Sequence, residues 1–178
     1  ENELGKYVRI YSFAEKLKRL SIELLGLKEE WVFGTDEQKN TKTHLKWDKF
    51  SDTKTGAMTA REVLQHVGTD IFRSMHENIW IDSCFRQIEE DNAELALISD
   101  VRFKNEIEGV QERGGFVIGL TRGSAKRKKK DNHSSETEIG ESLDLCDTVI
   151  DNANMSIPQQ NEAIYEVIKD LEFVPEVT

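Results

Sequence analysis

The chain has 178 residues, enough for one domain with a small inserted subdomain and a real hydrophobic core. Apolar residues make up 37% and charged residues 33%, a polar composition that still does not force disorder. Asp plus Glu is 34 against 24 for Lys plus Arg, and the net charge of -10 argues against a general binder of nucleic acid or of anionic membranes.

Tyr7 to Phe13 (YVRIYSF) reads as a short strand rich in β-branched and aromatic residues. Ala14 to Leu25 is an amphipathic helix: Leu17, Leu20, Leu24 and Leu25 recur at helical spacing, and Gly26 stops it. Gly34 to Met58 is polar with few periodic apolar positions. It is expected to be a loop-rich excursion, mobile rather than packed. A second helix opens at Thr59, where Glu62 completes a capping-box pattern. Val63, Leu64 and Val67 form its apolar face, and Gly68 is expected to break it. A third helix runs from about Asn78 to Glu90, with Trp80 on its apolar face and most simply core. Glu94 to Ser99 is an apolar run suited to a buried parallel strand. Asn105 to Arg113 reads as a helix closed by Gly114 and Gly115, and Phe116 to Thr121 as another buried strand. Residues 122–142 are charged and loop-like, Asp147 to Asp151 is a last short strand, and Gln159 to Leu171 is a C-terminal helix.

Strands alternating with helices predict βαβ units, hence an α/β fold with a parallel sheet and helices on both faces. Ligands of such sheets sit beyond the carboxyl ends of the strands. The informative positions are therefore Ser12 and Phe13, Ser99 to Asn105, Thr121 to Gly123, and Asp151 with Asn152. No run approaches the ~18 apolar residues of a membrane span. Cys84 and Cys146 cannot build a disulfide framework, so a reduced, cytoplasmic setting is expected.

Several of these residues suit phosphate chemistry. In SDVRFKNE, Ser99 to Glu106, Asp100 can hold a Mg²⁺-bound water or a substrate hydroxyl, and Arg102 can grip a phosphate through two donors. The plainer alternative is that Asp100 caps the next helix and Arg102 pairs with a carboxylate. Arg122 and the run Lys126 to Lys130 place six basic residues together, able to close over a polyphosphate or simply to form a solvated loop. Arg73 can bind a phosphate or carboxylate, while Thr69 and Asp70 suit capping. Arg61 and Gln65 lie one helical turn apart and together suit a base edge, or are two solvent-exposed side chains. His133 has no His or Cys at ligand spacing, which argues against zinc.

The segments YSFAEKLK, TAREVLQHVGTDIFR, the pair Ile79-Trp80, LISDVRFKNE, GGFVIGLTR, HSSETE and DTVIDN follow one another in this order. Together they resemble the deoxynucleoside monophosphate kinases of bacteriophages and their bacterial relatives, P-loop kinases of the nucleoside monophosphate kinase type. The resemblance covers nearly the whole chain and is most specific over Thr59 to Arg73 and Ile98 to Arg122. It implies a three-layer P-loop kinase fold. It also implies one kinase-like domain over residues 1–178, with a substrate-binding helical excursion at about 28–92 and a basic lid at about 122–142. The implied reaction moves the γ-phosphoryl group of ATP, with Mg²⁺, to a deoxynucleoside monophosphate.

Carried over by position, Ser12, Phe13 and Lys16 would border the monophosphate site, and Arg61, Gln65, Thr69 and Asp70 would lie on the substrate-binding helices. Arg73 and Arg102 would grip the acceptor phosphate, and Asp100 would be the acidic residue near Mg²⁺. Arg122 and the basic run would form the lid, with Arg127 its catalytic arginine, and Asp151 and Asn152 would lie near the base of ATP. Neither a membrane nor a specific nucleic acid is expected as a partner. Relatives of this type often dimerise, which leaves a homodimer open.

The family pattern begins with a strand, a G-x-x-G-x-G-K-type loop that cradles the ATP phosphates, and a helix. These 178 residues hold no such loop, and Gly5-Lys6 precedes the wrong strand. Because the loop-bearing strand lies mid-sheet in the related kinases, and because the chain starts at Glu1, the expectation is a chain incomplete at its N-terminus. The alternatives are a related small-molecule kinase of the dephospho-coenzyme A or phosphomevalonate type, a non-catalytic nucleotide-binding or interaction module, and a nucleic-acid binder acting through KRKKK.

Overall fold

The structure, a computed structural model, describes residues 8–121 and 142–171. These residues fall into two compact units, one of Tyr11–Asn92 and one of residues 8–10, 93–121 and 142–171.

In the first unit, α1 (Glu15–Leu25) ends where the alternation of leucines stops. Gly26 takes a left-handed φ of 66° and its amide donates back to the Ile22 carbonyl. Two short helices follow, α2 (Glu29–Phe33) and α3 (Asp36–Lys39), the second opened by a Thr35–Gln38 capping box. The segment expected to be a mobile loop is instead packed. Strand β2 (Lys42–Lys46) pairs antiparallel with β3 (Ala57–Thr59), joined through a 3₁₀ turn at Trp47–Lys49. Thr43, Trp47 and Met58 are buried there, and the Thr43 hydroxyl donates to the Met58 carbonyl at 3.0 Å. The physical reason is a period-2 pattern disguised by long polar side chains. Lys42, His44 and Lys46 point outward, while Thr43 and Leu45 turn inward. Trp47, Met58, Leu27, Val32, Ala60 and Val63 form one core cluster.

Helix α4 (Ala60–Gln65) starts at the expected capping box: the Glu62 amide donates to the Thr59 hydroxyl, and Glu62 accepts from the Thr59 amide. Gly68 does not break the chain's helical path. The backbone continues as a π-helix, His66–Arg73, followed by α5 (Ile79–Glu90). Gly68 is buried, and a Cβ there would fall 2.5 Å from Leu17 Cδ2, so glycine serves close packing of α1 rather than termination. Trp80 is core, as expected, at 7% exposure, and its indole N–H donates to the Gly68 carbonyl at 3.1 Å. Trp80→Phe leaves that buried acceptor short of a donor and should cost about 1–2 kcal/mol, read as a lower urea midpoint. An unchanged midpoint would show that the bond contributes nothing.

In the second unit, β1 (Val8–Tyr11) pairs with β4 (Leu95–Ile98), and β5 (Ile118–Thr121) pairs in parallel with β6 (Thr148–Asp151). The β5–β6 register runs from Ile118 opposite Thr148 to Thr121 opposite Asp151. Asp147 sets its start: its carboxylate accepts the Val117 amide at 2.7 Å and the Gln111 side chain at 3.2 Å. Helices α6 (Lys104–Gln111) and α7 (Ile157–Asp170) complete the unit. Among the described residues the strands form three two-stranded sheets rather than one continuous sheet. The strands read as buried are half-exposed: Leu97 and Leu120 are 38% and 41% exposed. An apolar run without a period shows that a strand suits burial but not which of its faces is covered.

Candidate active site

The loop between β4 and α6 is held from inside by Glu106, which is 2% exposed. One carboxylate oxygen of Glu106 accepts both the Arg102 amide at 2.7 Å and the Phe103 amide at 3.0 Å. The Glu106 and Ile107 amides in turn donate to the Phe103 carbonyl. The backbone that carries Arg102 is thus clamped, while the Arg102 side chain is exposed and has no partner among the described residues. A guanidinium on a fixed backbone, with no carboxylate against it, is ready to meet an anion through its fork of donors. The alternative of a structural pairing of Arg102 with a carboxylate is therefore not what the structure shows. Asp100, half-buried in the same loop, has interactions of its own. Glu106 escaped the reading of the sequence as a functional residue. Its signal was its place three residues after Phe103, the spacing at which a carboxylate reaches back over a helix start.

On the first unit, Arg61, Gln65, Thr69, Asp70 and Arg73 share the continuous stretch of α4 and the π-helix. Such π-helical turns are frequent at functional sites. Arg61 is tied to Asp36 at 2.7 Å and to Asn40 at 3.3 Å. That exposed pair is weak and easily exchanged for a ligand. Asp70 Oδ2 and His66 Nδ1 share a hydrogen bond at 2.8 Å, Gln65 and Thr69 are half-buried, and Arg73 is half-buried with partners of its own. The Ser12 carbonyl accepts the Glu15 amide, and Lys16 donates to Gln87 at 2.8 Å. Phe13 is 3% exposed, so its ring serves the core of the unit.

The helix start beneath these residues carries a pH dependence. Partial burial pushes the Glu62 carboxyl up, but hydrogen bonds from Thr59, nearby Lys42 and the Trp47 indole outweigh it and hold it below the ordinary glutamate range. A depressed folded-state value stabilises the fold above the unfolded value of about 4.3 and is lost as the pH falls through the folded one. Acid unfolding of Glu62→Gln should therefore show a shallower loss of stability below about pH 4.3 than the parent, and identical acid profiles would refute the assignment.

After β6, the Asn152 amide donates to the Thr121 carbonyl at 2.8 Å and the Ala153 amide to Asp151 at 3.0 Å. The Asn152 side-chain nitrogen donates to Gln160, and its Oδ1 is buried without a partner among the described residues. Arg122, Arg127, the Lys126 to Lys130 run and His133 lie outside the described residues. Among those described, no three His, Cys, Asp or Glu side chains gather as a metal cluster, and no helix is long and apolar enough to cross a membrane.

The family model for deoxynucleotide monophosphate kinases matches residues 8–162. The chain belongs to the deoxynucleotide monophosphate kinase family. A protein of Acanthamoeba polyphaga mimivirus, provisionally named a deoxynucleotide monophosphate kinase, is 34% identical over 140 residues, covering 72% of this chain and 67% of its own length. The deoxynucleoside-5'-monophosphate kinase of Escherichia phage T5 is 33% identical over 88 residues, covering 46% of this chain and 35% of its own length. No solved structure gives a significant match. The kinase's family reaction, phosphoryl transfer to a deoxynucleoside monophosphate, is the one the sequence motifs imply.

Proposed function

We propose that this kinase transfers the γ-phosphoryl group of ATP to a deoxynucleoside monophosphate in the three-layer P-loop kinase arrangement, and does so in the cytoplasm of an infected host. The observation that carries the residue assignment is Arg102: an exposed, unpartnered guanidinium on a backbone locked by a buried carboxylate. Phosphoryl transfer is chiefly positioning and charge stabilisation, so a cation held ready before the substrate arrives avoids reorganisation cost. Arg102 is the residue that grips the acceptor phosphate. Arg61, Gln65, Thr69, Asp70 and Arg73 belong to the acceptor side, with Ser12 and Lys16 bordering it, and Asp151 and Asn152 to the donor base. Arg122 and Arg127 are assigned to the lid.

Mg²⁺ suits Asp100. The loop offers one carboxylate rather than a cage, and Mg²⁺ is commonly held by one or two carboxylates together with substrate phosphates and water. When bound, the ion would neutralise charge on the phosphates.

The deciding experiment is a phosphotransfer assay of the complete gene product with ATP and each deoxynucleoside monophosphate, alongside dephospho-coenzyme A and phosphomevalonate. Turnover confined to deoxynucleoside monophosphates supports the reading. Turnover of either other acceptor in their place overturns it, and no turnover with any acceptor returns the chain to a binding module.

A further inference from the structure

The β2–β3 hairpin carries an aromatic group that the reaction has not yet used. Phe50, just after the 3₁₀ turn, is 53% exposed, so a large part of its apolar ring faces water. Its ring lies 5.6 Å from that of His66, the first residue of the π-helix. His66 in turn meets the Trp47 ring edge-on at 5.4 Å, and Asp70 holds its Nδ1 at 2.8 Å. Trp47 is buried at 7% and is covered by the Lys54 ammonium 4.4 Å from its ring centre. The His66 imidazole is therefore fixed on three sides, by two rings and a carboxylate, although its Nε2 has no partner among the described residues. In the neutral tautomer that donates Nδ1–H to Asp70, Nε2 is an acceptor.

We propose that Phe50 and His66, braced by Trp47 and Asp70, form the stacking wall for the base of the acceptor deoxynucleotide. The inference rests on the proposed acceptor reading and deepens it. A base is planar and apolar on its faces and carries N–H donors on its edge, so it suits an exposed ring beside an orphan imidazole acceptor. Covering Phe50 with a base also removes apolar surface from water. Phe50 and His66 belong to the same compact unit as Gln65, Thr69 and Asp70, and His66 also shares their helical stretch, so stacking and edge contacts come from one unit.

The test separates base from phosphate. Binding of a deoxynucleoside monophosphate and of 2-deoxyribose 5-phosphate, which lacks the base, is measured by calorimetry on the parent, Phe50→Ala and Phe50→Tyr proteins. Loss of one stacked base is expected to weaken monophosphate binding about 10-fold in Phe50→Ala, while the sugar phosphate binds as in the parent and Phe50→Tyr keeps the parent affinity. His66→Ala should show the same selective loss, since it frees the Phe50 ring from its brace. Equal monophosphate affinity in Phe50→Ala and the parent overturns the wall while leaving the kinase reading intact. Equal losses for both ligands also overturn it, because they point to a general disturbance of the hairpin. A parent protein that binds no deoxynucleoside monophosphate removes the acceptor reading and the wall with it.

Discussion

Arg102→Ala loses affinity for the acceptor monophosphate and keeps the fold. The side chain is exposed and makes no hydrogen bond or ion pair with another described residue, so its removal leaves no unpaired partner among them. Each charge-assisted bond to phosphate contributes roughly 1.5–3 kcal/mol, so loss of a bidentate grip weakens binding by about 100-fold or more. Thermal unfolding should be unchanged within about 2 °C, since substitutions at exposed positions stay near ±0.5 kcal/mol. Arg102→Lys restores the charge but not the planar fork, and should recover only part of the affinity. Calorimetric titration with a deoxynucleoside monophosphate, paired with a melting curve, measures both quantities. Parent-like binding in Arg102→Ala would end the assignment of this residue to the phosphate.

Glu106→Ala is expected to do more damage by a different route. The carboxylate is almost wholly buried, and its loss strands the Arg102 and Phe103 amides beside a new void. Two charge-assisted bonds removed at a buried position cost about 3 kcal/mol, which lowers the Tm by roughly 10 °C in a chain of this size. Because the same bonds aim the loop, acceptor affinity falls too, although Glu106 itself meets no ligand. Glu106→Gln keeps an acceptor oxygen of nearly the same shape, so it should recover much of the Tm and most of the affinity. The contrast is diagnostic: Arg102→Ala lowers affinity alone, whereas Glu106→Ala lowers affinity and Tm together. Normal melting of Glu106→Ala would show that the loop is held by something other than this carboxylate.

Much of the architecture was legible in the residues. The α1 helix with its Gly26 stop, the Thr59–Glu62 capping box, the core role of Trp80 and the existence of strands β5 and β6 all follow from local patterns. Each depends on side chains a few residues apart or on one short apolar run, and such information is carried by the chain itself. The hairpin of β2 and β3 was missed because Lys42, His44 and Lys46 dominate the composition while only Thr43 and Leu45 mark the inward face. Gly68 misled for a related reason. A glycine in a helical pattern signals either a stop or a close approach, and only the neighbour decides between them. That neighbour is Leu17, 51 positions away in the chain.

The site divides along the same line. Arg102 stood out from its position after an apolar strand, and the motifs around it were enough to name the reaction class and the family. Residue order alone could not tell a guanidinium paired with a carboxylate from one left exposed, because that depends on what packs nearby. The burial of Glu106 under the Arg102 amide, the ring of Phe13 turned into the core and the Phe50–His66–Trp47 contacts are likewise matters of distance in space. Local pattern determined which elements form and which chemistry they carry. Tertiary packing alone decided which charged groups are neutralised and which rings are buried, because desolvation and pairing are set by neighbours that the chain brings together from far apart.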